Sequence, residues 1–360
     1  MIILENTVKE QERVAFALRT LYKSYGYLPY KMNKFEAYDL YASNKDFLVG
    51  DGVITFTDTD GKLLALKPDV TLSIIKNADG NGKVYYHENV YRISGETKQF
   101  KELSQIGLEN LGDTGVYGLY ETVCLAAASL ACISDHFVLD LSHLGILSAV
   151  LSELGAGEEF SRKVLRLLAE KNEHDTRALC ESYGVDGEKL VAIVKTYGRM
   201  DEVLAKLAPL CESGEAKSAY DELCLVCGML ASTEYADKIR LDFSVVNDMK
   251  YYNGLVFKGF VEGVCEGVLS GGQYDRLMKR MGKKTGAIGF AVYLDLLEGF
   301  REERTAYDID TLVLYDHSVP TEKVIAAVNA AMGKGGSVRT ATEKNTLRYR
   351  EIVDLTGGGK

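Results

Sequence analysis

Tyr85 to Gly112 reads YYHENVYRISGETKQFKELSQIGLENLG, and this stretch decides the fold. Lys83 to Ile93, rich in aromatic and branched residues, reads as a strand, and Glu102 to Gly112 reads as its partner. The polar segment Ser94 to Lys101 joins them, and a long loop between antiparallel strands is a natural place for a ligand-closing lid. Gln105 and Glu109 lie four positions apart, so on one strand both side chains point to the same face and into one cavity.

Working outward, Val53 to Thr57, the Asp60-Gly61 turn and Leu63 to Leu66 read as a second antiparallel hairpin, followed by a short helix after Pro68-Asp69-Val70-Thr71. Residues 7–25 carry Val8, Ala15, Leu18, Leu21 and Tyr22 at helical spacing up to Gly26. Glu121 to Ile133 reads as an apolar helix, Phe137 to Leu141 as a short strand, and Ser142 to Gly145 as the start of the next helix. From Glu158 to Lys238 helical periodicity dominates, which predicts a helical insertion. Strand character returns at Ile239 to Val245 and Leu255 to Phe260, continuing through Val261 to Val268, and Gly289-Phe290-Ala291 is expected to open a helix running to Leu297. After the charged linker Arg301 to Arg304, one strand, one helix and a tail ending in a fraying Gly357-Gly358-Gly359 form a small α/β module. The expected division is a core of 1–154 and 236–300, an insertion of 155–235 and a module of 305–360. Strands that arrive as hairpins with helices between them argue α+β with an antiparallel sheet and against a Rossmann domain.

The 360 residues, 46% hydrophobic and 26% charged, suffice for a sizeable core, and the net charge of -10 repels phosphate backbones over most of the surface. No polybasic membrane face and no leader-like start appear, so a cytoplasmic location is expected. The seven scattered cysteines read as reduced, buried thiols; Cys224 and Cys227 form the one C-x-x-C, without a second pair or a nearby histidine to complete a metal site. The histidines at 87, 136, 143, 174 and 317 have no ligand spacing. Phosphate-loop, zinc-helix and nucleophile-elbow motifs are missing, and neither cofactor nor metal is expected.

Asp69, Thr71, Arg92, Gln105 and Glu109 bracket the central hairpin, and Tyr251, Tyr252, Tyr274 and Asp275 come from the returning strands. Such a set can clamp a small amino acid, with carboxylates for an ammonium, arginine for a carboxylate and tyrosine hydroxyls for orientation. The same residues can instead satisfy buried backbone polarity or face water.

The quoted stretch closely resembles motif 2 of the histidyl-tRNA synthetase class II family. Gly26-Tyr27-Leu28-Pro29 with Phe35-Glu36 resembles the motif 1 neighbourhood, and Leu66 to Thr71 resembles L-R-P-E-G-T. Tyr251 to Phe257 resembles the Y-Y-x-x-x-V-F histidine-pocket segment, and Gly271 to Asp275 resembles G-G-R-Y-D. The resemblance implies a class II synthetase core and a histidine site of Asp69, Thr71, Arg92, Gln105, Glu109, Tyr251, Tyr252 and Tyr274. It also exposes departures. The motif 2 glutamate position is Ser94, the arginine and aspartate of R-G-x-D-Y-Y are Asn247 and Lys250, and the motif 3 arginine is Leu296. All fall in the nucleotide half; leucine can neither donate to phosphate nor carry charge.

With a C-terminal segment shorter than a synthetase's anticodon-binding domain, this pattern is similar to the synthetase-like regulatory subunits of ATP phosphoribosyltransferase. That resemblance implies a subunit without catalytic residues, a homodimer around residues 26–56, and a hetero-octamer with a short-form catalytic subunit. It also implies feedback by histidine, acting in the old pocket or at a subunit interface, and no tRNA. An aminoacyl-activating enzyme and a stand-alone amino-acid sensor are the alternatives.

Overall fold

The computed structural model describes residues 8–44, 52–78, 82–93, 97–112, 114–246, 251–298, 300, 307–344 and 346–356. In chain order the elements are α1 (Glu10–Ser24), β1 (Leu28–Pro29), β2 (Phe35–Ala37), α2 (Tyr38–Ala42), β3 (Thr55–Thr57), β4 (Leu63–Leu66), α3 (Thr71–Asn77), β5 (Gly82–Ile93), β6 (Phe100–Leu111), α4 (Val116–Ile133), β7 (Phe137–His143) and α5 (Leu144–Leu154). There follow α6 (Gly157–Ala169), α7 (Glu173–Tyr183), α8 (Glu188–Val194), β8 (Tyr197–Arg199), α9 (Met200–Leu207), α10 (Gly214–Leu230), β9 (Ile239–Asp242), β10 (Leu255–Val261), β11 (Leu269–Gln273), α11 (Asp275–Arg280) and β12 (Ala287–Tyr293). Beyond them lie β13 (Ile309–Leu314), α12 (Thr321–Met332), β14 (Val338–Ala341) and β15 (Tyr349–Asp354).

The chain divides into two compact units, Met1–Phe300 and Arg301–Lys360. In the first, nine strands form one sheet in the order β1-β5-β6-β12-β11-β10-β7-β9-β8. Its pairs are antiparallel except β1 with β5 and β7 with β9. A separate antiparallel sheet, β2-β4-β3, is the predicted second hairpin with one more strand. The second unit has a parallel sheet, β14-β13-β15, and α12.

Alternation sorts the large sheet into two faces. Ile106, Leu108, Ile288, Phe290, Phe257, Leu139 and Leu141 lie on one face and are buried against α1 and α4. Each such side chain contributes about 1.5–3 kcal/mol on burial. Helix α4 comes so close that a Cβ at Gly259 of β10 would lie 2.7 Å from Leu130 Cδ1, which is why that strand position lacks a side chain. By length and composition Val116–Ile133 is apolar enough to cross a membrane. Its burial between sheet and helices explains that composition as a core helix.

Other expectations need correction. Ala287–Tyr293 is strand β12, not the opening of a helix, and only Leu294–Leu297 makes a 3₁₀ turn. The strand after Leu255 ends at Val261, and Gly263, with φ of 90°, turns the chain toward β11. The strand at Phe137 runs on to His143, which leaves Leu144 to begin α5. A strand, β8, interrupts the helices of residues 155–235 and pairs with β9. Cys265 is exposed and Cys124, Cys132 and Cys224 are half-buried, so only Cys180, Cys211 and Cys227 are buried thiols. Ser94, Asn247, Lys250, the charged linker Arg301 to Arg304 and the terminal glycines lie outside the described residues.

Candidate functional site

Register across β5, β6 and β12 builds the second face of the sheet. Glu109 pairs with Val84 and Gly289, Gly107 with Tyr86 and Ala291, and Gln105 with Glu88 and Tyr293. Glycine and alanine make the floor, and longer polar or aromatic residues rise around it. Glu109 is 2% exposed, and its carboxylate lies directly over Gly289, where a Cβ would sit 1.8 Å from Oε2.

Both oxygens of Glu109 accept hydrogen bonds, Oε1 from the Thr71 hydroxyl at 2.7 Å and Oε2 from the Tyr274 hydroxyl. The first donor comes from the start of α3 and the second from the turn before α11, so the carboxylate ties two peripheral segments to the sheet. Burial pushes its pKa up to about 8; the two hydroxyls oppose that rise, and the Asp69 charge adds to it. Asp69 is also buried, and its Oδ1 accepts the Leu72 N–H at 2.9 Å, capping α3. Desolvation raises the Asp69 pKa, against the Leu72 N–H and the charge of Arg92.

The tyrosines wall this compartment. Tyr251 meets Tyr252 edge-on at 4.6 Å between centroids and Tyr274 at 5.7 Å, and desolvation holds all three phenols well above their ordinary pKa. Thr71 also meets the Tyr251 hydroxyl. The structure thus gathers Asp69, Thr71, Glu109, Tyr251, Tyr252 and Tyr274 into one cluster. Gln105 is buried on the same face, farther along β6 beside Tyr293. Arg92 lies at the rim, where its Nε donates to the Pro68 carbonyl at 2.9 Å and its charge reaches Asp69 and Tyr293.

Tyr86, Gly107, Gly289 and Tyr293 belong to this site, although residue chemistry alone did not single them out. For Tyr86 and Gly107 the signal was available in the alternation that places Gln105 and Glu109 together. Beneath the rim, Lys67 is buried in an ion pair with Glu88, whose other oxygen accepts the Met32 N–H at 3.3 Å.

Beyond Tyr293 opens a cleft of 570 Å³ lined by Lys101, Leu103, Lys258, Ser270, Asp295 and Leu296 among others. Leu296 is half-buried and packs on the core, while Asp295 accepts the Ser104 N–H at 2.5 Å. Among the described residues no group of three or more histidine, cysteine or acidic side chains is placed to hold a metal ion.

A mostly antiparallel sheet with one face under helices and a tyrosine-walled polar site on the other defines a class II synthetase-like protein. The family model for histidyl-tRNA synthetase matches residues 3–297, and the chain belongs to that family. It is 28% identical over 318 residues to an ATP phosphoribosyltransferase regulatory subunit of a Geobacillus species, covering 83% of this chain and 81% of that one. Among solved structures, an ATP phosphoribosyltransferase regulatory subunit/histidyl-tRNA synthetase from Bacillus halodurans matches with a TM-score of 0.75 at 22% identity, covering 97% of this chain and 95% of that chain. A chain of the ATP phosphoribosyl transferase (HisG:HisZ) complex from Thermotoga maritima matches with a TM-score of 0.63 at 18% identity, covering 79% of this chain and 97% of that one. At these identities the solved structures establish the fold.

Proposed function

We propose that this chain is a non-catalytic regulatory subunit that activates a short-form ATP phosphoribosyltransferase in the first step of histidine biosynthesis and takes part in feedback inhibition by histidine. The carrying observation is the asymmetry of the site. Its amino-acid half is a closed set of hydrogen bonds around Glu109, whereas Leu296 occupies the motif 3 position where the family resemblance calls for arginine, and Arg92 bonds to a backbone carbonyl. The regulatory-subunit names of the curated relatives and the complex named for the Thermotoga chain support the same reading.

A subunit that does no chemistry changes a rate by binding one state of its partner more tightly than another. Histidine, held by Asp69, Thr71, Gln105, Glu109 and the three tyrosines, with Arg92 at the rim, favours the less active arrangement. A homodimer within a hetero-octamer suits the β2-β4-β3 sheet, where Phe35, Ala37, Phe56, Leu64 and Leu66 share one face by register and the rings of Phe35 and Phe56 meet at 5.2 Å, partly exposed. We read 1–154 with 236–300 as the synthetase-like core, 155–235 as the insertion and 305–360 as a separate module, in a cytoplasmic protein that does not charge tRNA.

One observation favours an aminoacyl-activating enzyme instead: the 570 Å³ cleft adjoins the buried amino-acid cluster. Pyrophosphate exchange with histidine and ATP decides between the two. The regulatory reading expects no exchange by the chain alone, and restoration of phosphoribosyltransferase activity when it is mixed with the short catalytic subunit.

A further inference from the structure

The floor of the site continues across the sheet. One register row runs from Gly107 through Ala291, Ser270 and Lys258 to Asp140 and Arg240, on strands β6, β12, β11, β10, β7 and β9. Of this row, Ser270 and Lys258 line the 570 Å³ cleft, and Asp140 and Arg240 line a cavity farther along the sheet. Phe260 lines that cleft and two further cavities of 420 and 400 Å³ farther along the sheet. The last is lined by Val138, Asp140, Lys171, Tyr197, Arg240 and Phe260 with their neighbours.

Pairing within this cavity leaves one charge of each sign. Lys171 Nζ reaches Asp242 Oδ2 at 2.6 Å and sits 4.6 Å from the centre of the Tyr197 ring, so both charges are engaged. Asp242 Oδ1 accepts the Ser244 N–H at 2.9 Å. Lys258 extends over the Phe260 ring at 5.4 Å. The side chains of Asp140 and Arg240, adjacent in register, make neither a hydrogen bond nor an ion pair among the described residues. Burial and the nearby Asp242 charge raise the Asp140 pKa to about 6, against the pull of Lys171 and Arg240. A half-buried carboxyl without a donor is stabilised by a cationic ligand group, and an exposed guanidinium is suited to grip a carboxylate. Phe260 and Tyr197 add aromatic rings to the lining of the same cavity. The volume falls at the small end of the roughly 300–1,000 Å³ of small-molecule sites.

We propose that this cavity is a second binding site, separate from the Glu109 cluster, for a zwitterionic α-amino acid with a flat ring: Asp140 takes the ammonium, Arg240 the carboxylate, and Phe260 with Tyr197 the ring. L-Histidine as its occupant rests on the proposed function; the charge pattern does not.

The test is calorimetric titration of the full chain with L-histidine and with L-histidinol, which lacks the carboxylate. Variants are Arg240→Gln, Asp140→Asn and Glu109→Gln; the first two alter side chains that make no hydrogen bond or ion pair among the described residues. Wild type is expected to bind two equivalents of histidine. Arg240→Gln and Asp140→Asn each weaken one of them about tenfold or more, the scale of one lost charge-assisted hydrogen bond, and leave the equivalent that Glu109→Gln affects. Histidinol binding at this site is expected to be insensitive to Arg240→Gln. Histidine isotherms of Arg240→Gln and Asp140→Asn that superimpose on wild type overturn the proposal, as does the absence of histidine binding to wild type. Failure of the proposed function shows separately, as failure of the wild-type chain to activate the transferase.

Discussion

Replacing Glu109 by Gln keeps the shape of a side chain that the core encloses and removes its titration. Burial holds the folded carboxyl at about 8, against an ordinary value of 4.5. The folded state therefore binds this proton more tightly than the unfolded chain. The resulting stability is complete below the unfolded value and is lost as the pH rises through the folded one. Integrating the linkage between those two values gives a loss of about 4 kcal/mol from about pH 5 to pH 9, some two thirds of it before about pH 7. Other groups titrate over the same interval, so the measured quantity is the difference between wild type and Glu109→Gln in urea-unfolding free energy at each pH. The wild-type stability should fall by about 4 kcal/mol more than the variant's across that interval. Parallel pH profiles for the two proteins would refute the raised pKa of Glu109.

Tyr274→Phe removes a hydroxyl that holds the Glu109 pKa down, so the wild-type loss of stability should move to higher pH in the same titration; an unmoved or downward-shifted midpoint contradicts the arrangement. Gly289→Ala places a methyl against Glu109 Oε2 and 2.5 Å from the Leu108 carbonyl, an overpacking expected to cost about 1–3 kcal/mol in urea unfolding. Lys67→Met strands Glu88 in its buried pair, and a loss of about 3–5 kcal/mol is expected by the same measurement. ATP should bind weakly or not at all by calorimetry; stoichiometric micromolar binding abolished by Arg92→Ala would overturn the loss of the nucleotide half.

The hairpin of β5 and β6 was legible because two long segments with aromatic and branched residues flank one polar loop, and the shared face of Gln105 and Glu109 followed from their even spacing on a strand. Strand β12 was not, because Ala287–Tyr293 lies in the middle of the sheet with both faces covered over most of its length, and its small and apolar residues lack the alternation of a half-exposed strand. The contact of Glu109 with Gly289 depends on pairing between strands far apart in the chain, as does the register that sets Asp140 beside Arg240. No local pattern encodes such register. Asp69 and Tyr274 were named from chemistry, but their different uses, one capping α3 and the other donating to Glu109, emerge only when the helices dock.

The central claim is that this chain acts through a partner. Phosphoribosyl-ATP formation by a short-form catalytic subunit should be slow alone, rise when this chain is added, and fall again with L-histidine. Catalysis that is equally fast and equally sensitive to histidine without this chain would contradict it.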